Sequence, residues 1–142
     1  MAFQMHKVQV WTGEIPDRVG AAAAKLELLA RAGADLEFVF TRPIPAKPDS
    51  VAIFLAPING PDQVRAAQMA ELSPARDLFM LCVEGDNRPG LGYQIMSQLA
   101  IAGINLRGIS ISSLGRRFAA YLAFDSADAV THAVQLLAGL SI

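Results

Sequence analysis

A motif that returns at a fixed interval is the strongest constraint in this chain. Asp17-Arg18-Val19-Gly20 is matched 70 residues later by Asn87-Arg88-Pro89-Gly90. Each is followed by an amphipathic stretch that stops at an Ala-Gly pair, Ala32-Gly33-Ala34-Asp35 and Ala102-Gly103-Ile104-Asn105, again 70 residues apart. Further on, Val51 to Ile58 matches Phe118 to Asp125 at an interval of 67, which assigns a length difference to the preceding hairpin loop, where such differences are tolerated. A repeat of this period is the mark of one supersecondary unit used twice. The copies are bounded as 1–74 and 75–142.

Local patterns give each copy the order βαββα. In the first, Lys7-Val8-Gln9-Val10-Trp11 alternates as a half-buried strand does, with Gly13 and Pro16 read as the turn that ends it. From Val19, the residues Leu26, Leu29, Ala30 and Gly33 recur at helical spacing, and Gly33 reads as the stop. Leu36 to Phe40 and Val51 to Leu55 alternate as a strand pair around a proline loop, Pro43 to Pro48, and a helix opens at Pro61. The second copy gives a strand at Leu78 to Glu84, a helix at Pro89 to Ala102, a hairpin of Leu106 to Leu114 with Phe118 to Asp125, and a helix at Ala127 to Leu137. A final edge strand is short or missing in both copies: only five residues follow Leu137, and Ser73-Pro74 intervenes before Leu78. A sheet with two helices on one face defines an α+β unit.

Composition narrows the function. With 53% hydrophobic residues, 18% charged residues and a formal net charge of −1, the chain has a core but no electrostatic excess to attract nucleic acid or an anionic membrane. Its longest apolar runs fall well short of the roughly 20 residues that span a bilayer, and Gln4, His6 and Lys7 break any signal-like start. A cytoplasmic protein is expected. Cys82 is the single cysteine, and His6 and His132 are far apart in sequence, so neither a disulfide, a metal site nor a cofactor is expected.

The most informative segment is Glu84-Gly85-Asp86-Asn87-Arg88-Pro89-Gly90-Leu91-Gly92, a strand end leading into a helix. Pro89 suits a first helical position, Gly90 and Gly92 remove side chains from the approach, and amides at a helix start attract a carboxylate. Asn87 adds a donor and an acceptor. Together these groups match the carboxylate and ammonium of a free amino acid. The same residues also make an ordinary turn and helix cap, and Asn105 also suits left-handed geometry near a helix end.

Asp86-Asn87-Arg88-Pro89-Gly90-Leu91, followed by Ala102-Gly103-Ile104-Asn105-Leu106, resembles the ACT domain, and in particular the regulatory domain of phosphoglycerate dehydrogenases, with its Asn-Arg-Pro-Gly loop and Gly-x-Asn after the helix. The resemblance covers about residues 78 to 138 and is weaker over 6 to 72, where Val19 replaces the proline and Asp17 and Asp35 replace the asparagines. Gly85 departs from the histidine-like residue of that pattern. The resemblance implies two tandem ferredoxin-like βαββα(β) domains, the first degenerate, and a free amino acid bound at an ACT–ACT interface. Asn87, Arg88, Pro89, Gly90, Leu91 and Asn105 are then the ligand-binding residues, with Asp17 and Asp35 as weaker candidates. It also implies a homodimer that regulates a biosynthetic enzyme or a transcription regulator without catalysis of its own.

Other chemistries find less support. Ser110, Ser112 and Ser113 have no histidine near them in sequence and read as a polar sheet face. Phe118 and Phe124 share a strand face with Leu122 and read as core, not as a platform for RNA bases. Arg116-Arg117 falls in a hairpin turn. The main alternative is a protein-interaction module on the same fold that has lost its ligand.

Overall fold

A computed structural model describes residues 3–140. The chain divides into two compact units, Gln9–Ala75 and Met1–Val8 together with Arg76–Ile142. The elements are β1 (Gln4–Val8), β2 (Trp11–Pro16), α1 (Ala21–Arg31), β3 (Phe38–Ile44), β4 (Lys47–Ala56), α2 (Gly60–Met69), β5 (Ser73–Pro74), β6 (Phe79–Asp86), α3 (Leu91–Ile101), β7 (Leu106–Leu114), β8 (Arg117–Phe124) and α4 (Ala127–Ala138). Among the described residues no helix is long and apolar enough to cross a membrane.

Each unit carries a four-stranded antiparallel sheet with two helices. In the Gln9–Ala75 unit the order is β3-β4-β2-β5, and in the other it is β1-β6-β8-β7. In both, the strand after the first helix lies at one edge and the first strand of the repeat sits inside, which is the ferredoxin-like arrangement. The opposite edge is filled differently. In the first unit Ser73 and Pro74, expected to leave no room for a strand, are the strand, paired with Thr12 and Trp11. In the second, β1 fills that place, pairing Gln4–Val8 antiparallel with Met80–Glu84 of β6.

The expected strand Lys7–Trp11 is therefore two strands of two sheets, separated at Gln9 and Val10. The expected first copy, 1–74, gives up its first eight residues to the second unit. The reason is visible around Gly85: a Cβ there would lie 3.2 Å from the Phe3 ring, and Phe3 is buried in the second core. Two other expectations are corrected. Gly13 and Pro16 lie within β2, and the proline loop shrinks to Pro45 and Ala46, with Pro43 in β3 and Pro48 in β4. The three additional residues of the first copy lie within β4, where pairing jumps from Pro43–Val51 to Ile44–Lys47. They are put to use, since Ser50 pairs with Pro16 and Asp49 accepts a backbone hydrogen bond from Asp17.

Alternation along the inner strands builds each core. Leu81 and Val83 of β6 join Phe118, Ala120, Leu122 and Phe124 of β8, and α3 and α4 cover them with Ile95, Leu99, Val130 and Leu137. The first unit packs Trp11, Ile15, Ile53 and Leu55 under Leu29 and Ala67. On α1 the apolar face runs through Leu28 and Leu29, and Ala30, expected on it, is exposed. Cys82 is a buried free thiol.

Gly13 is packed from the side. A Cβ at this position would meet Leu72 Cδ2 at 2.8 Å and the Glu71 carbonyl oxygen at 3.0 Å. The leucine can move aside, but the backbone oxygen moves only with the end of α2. Gly13→Ala is expected to cost about 1–3 kcal/mol of overpacking, measured as a lower urea midpoint at unchanged slope.

Candidate functional site

The two repeat motifs fold alike. Leu91 N–H donates to the Arg88 carbonyl at 3.4 Å, and Gly90 has φ 83° and ψ 0°. Ala21 N–H donates to the Arg18 carbonyl at 3.3 Å, with Gly20 at φ 84° and ψ −6°. A third residue near +80°, 0° defines a type II turn, which takes proline second and glycine third. Pro89 is thus the second residue of a turn and not the first of the helix, and Val19 occupies its place in the first copy. Both turns hang from a neighbouring strand or turn: Asn87 N–H donates to Arg116 at 2.8 Å and Asp17 N–H to Asp49 at 2.9 Å.

These turns leave their helices uncapped. α4 begins with Ser126, whose hydroxyl accepts from Ala129 N–H at 3.1 Å, and α2 and α4 carry Asp62 and Asp128 in their first turns. α1 and α3 have neither a side-chain cap nor an acidic residue there. The first intrahelical bond of α3 is Gln94 N–H to Gly90 at 3.0 Å, so the amides of Gly92 and Tyr93 have no partner within the helix. A helix start of this kind offers donors and partial positive charge to an anion. Gly92 also accommodates Ile111 of β7, whose Cδ1 would lie 3.1 Å from an added Cβ.

The flanking side chains are exposed. Asp86 pairs with Arg117 at 3.1 Å, and Arg88 donates to the Gln94 side chain. Asn87 makes no side-chain hydrogen bond among the described residues and is exposed, whereas Leu91 is buried in the core. The run Asn87, Arg88, Pro89, Gly90 and Leu91 is therefore one contiguous site around the start of α3. Asn105 is not part of it. It follows the far end of α3, one helix length away, and leads into β7 at the sheet end where Leu106 pairs with Phe124. Ten residue steps of helix separate the two ends by roughly 15 Å. Asp17 and Asp35 stand apart in the same way at the two ends of α1. Sequence spacing does not disclose this, because a helix of this length places its flanking loops at opposite ends of the sheet.

The fold is a pair of ferredoxin-like units of ACT type, one inserted in the chain after the first strand of the other. No protein-family model and no curated protein matches the sequence. Solved structures do match over nearly the whole chain. Protein BT0572 from Bacteroides thetaiotaomicron superimposes with TM-score 0.74 at 10% identity, over 95% of this chain and 88% of that one. The ligand-free regulatory subunit of aspartate kinase from Thermus thermophilus gives 0.62 at 17% identity, over 96% and 97%. E. coli aspartokinase III in complex with aspartate and ADP gives 0.59 at 16% identity, over 96% of this chain and 32% of that enzyme. What is shared at these identities is the fold.

Proposed function

We propose that this chain is a non-catalytic, cytoplasmic regulatory protein that binds a free amino acid at the start of α3 and conveys its presence to a biosynthetic enzyme or a transcription regulator. The observation that carries the reading is the uncapped start of α3, with Gly92 and Tyr93 amides unpartnered in the helix and the unpaired Asn87 side chain beside them. The amides take the carboxylate, and the Asn87 side-chain oxygen takes the ammonium. The equivalent start of α1 has Asp17 in that place, whose charge repels a carboxylate, so one such site per chain is expected. Because one amino acid cannot bridge roughly 15 Å, a role for Asn105 requires a second copy of the chain, and the proposed form is a homodimer. The regulatory subunit of aspartate kinase and the aspartate-bound aspartokinase III share this fold, which supports an amino acid as the ligand.

A thermal-shift screen against the twenty amino acids tests the reading. Ligand at about 100 times its dissociation constant stabilises by roughly 2.7 kcal/mol, which raises the midpoint by several degrees. The expected result is a shift with one or a few amino acids that Asn87→Ala abolishes.

A second reading, a protein-docking module without ligand, is favoured by one feature. α3 has no charged residue along its length and exposes Tyr93 at 77% and Ile101 at 79%. Beside it the edge strand β7 exposes Ile109 and Ile111. A flat screen would select this reading.

A further inference from the structure

In the Gln9–Ala75 unit an open groove of about 240 Å3 lies between α1 and the end of α2, next to the last residues of β2. Its lining combines apolar Ile15, Leu28 and Met69 with charged Arg18, Lys25 and Glu71. The internal repeat shows why there is a groove here. At the 70-residue interval, Ala21 and Lys25 stand where α3 has Leu91 and Ile95. Counted from the N-caps Asn59 and Ser126, Ala70 stands where α4 has Leu137. Leu91, Ile95 and Leu137 are 2%, 0% and 0% exposed and belong to the core of their unit. Two alanines and a lysine in their place leave that volume unfilled, and the Lys25 ammonium turns to the Ala70 carbonyl at the end of α2.

Glu71 marks the same place independently. α1, α2 and α3 all close with one pattern, in which the second residue after the cap bonds back across five residues: Ala34 to Leu29, Leu72 to Ala67 and Ile104 to Leu99. The residue between them takes a left-handed conformation, usually glycine. It is Gly33 at φ 79° and Gly103 at φ 74°, but Glu71 at φ 61° in α2, the one non-glycine residue with positive φ among those described. A carboxylate is thus carried on backbone that favours glycine, at the rim of the groove. Neither the Arg18 guanidinium nor the Glu71 carboxylate has a side-chain hydrogen bond or ion pair among the described residues, although both line the groove.

We infer that this groove binds a small aliphatic zwitterion, an α-amino acid of the leucine type. Its carboxylate faces Arg18 and Lys25, its ammonium faces Glu71, and its side chain rests on Ile15, Leu28 and Met69. The volume lies below the roughly 300–1,000 Å3 of drug-sized pockets, which excludes nucleotides. The inference stands apart from the α3 site: it uses the first repeat and none of the Asn87 loop.

Titration of the 15N-labelled full chain with L-leucine tests it, read at the amides of residues 18–28 and 69–72. Saturable shifts there are expected. Isovalerate, which keeps only the carboxylate, and isopentylamine, which keeps only the ammonium, are each expected to bind about tenfold more weakly. Arg18→Ala and Glu71→Gly are each expected to weaken leucine about tenfold. Glu71→Gly in addition relieves the left-handed residue, so its melting midpoint is expected to stay level or rise, which separates lost binding from lost folding. Absence of saturable shifts in these segments, or shifts unchanged in both variants, overturns the site. Shifts confined to residues 87–93 overturn it while leaving the α3 reading intact, and groove shifts that persist in Asn87→Ala with no response at 87–93 do the reverse.

Discussion

Deletion of residues 1–8 is expected to abolish cooperative folding of the unit that begins at Arg76, although the deleted segment lies 68 residues upstream of it in sequence. β1 supplies the edge partner of β6 over five residue pairs, and its loss exposes a strand whose neighbours Leu81 and Val83 are fully buried. Phe3 leaves the core as well, and with it the packing of Met5. Removing one buried phenylalanine costs about 3–5 kcal/mol, against a net stability of about 5–15 kcal/mol for a domain. The unpaired backbone of β6 adds to that loss and offers an aggregation edge. In 15N correlation spectra the amides of residues 79–137 should lose dispersion, and a peptide of residues 1–8 supplied in trans should restore it. A truncated protein with an unchanged urea midpoint and full dispersion would show that β1 contributes nothing to this unit.

The sequence disclosed the repeat, the helices and the inner strands, because each of these depends on residues close together in the chain. Leu81, Val83, Phe118, Leu122 and Phe124 alternate as core strands must, and Gly33 and Gly103 stop their helices through local geometry. The partnership of β1 with β6 was not legible. It depends on which free edge is nearest once both sheets exist, and alternation through Lys7 to Trp11 reads the same whether that stretch forms one strand or two. The prolines misled for a related reason. Pro43 and Pro48 look like a loop, yet both sit in a hairpin with irregular pairing, where a missing donor is tolerated. At the candidate site, the turn before α3 was legible as a glycine-proline motif, but its separation from Asn105 was not, since adjacency in a motif pattern carries no distance. The groove beside α1 escaped notice because it is defined by what α1 lacks: Ala21 and Lys25 are unremarkable helix residues until set against Leu91 and Ile95.

That contrast leads to a reciprocal experiment. Leu137→Ala is expected to destabilise the second unit by about 3–5 kcal/mol, since Leu137 is fully buried among core side chains and a leucine-to-alanine change at such a site adds a cavity to the lost transfer energy. At about 2–4 °C per kcal/mol for a chain near this size, the midpoint should fall by roughly 10 °C. Ala70→Leu at the corresponding place in α2 has the opposite character. Ala70 is already 3% exposed and borders a groove of about 240 Å3, so the added side chain has volume to enter, and a stability change within about 1 kcal/mol is expected. The same change removes the space that the aliphatic side chain of a bound amino acid would take, so the leucine-dependent shifts at residues 18–28 should disappear. One position in two copies of one scaffold then gives a large loss of stability with no bearing on the groove in the first case, and a loss of binding at nearly constant stability in the second. Equal destabilisation by both changes would mean that the two copies are packed alike and that the first repeat holds no room for a ligand.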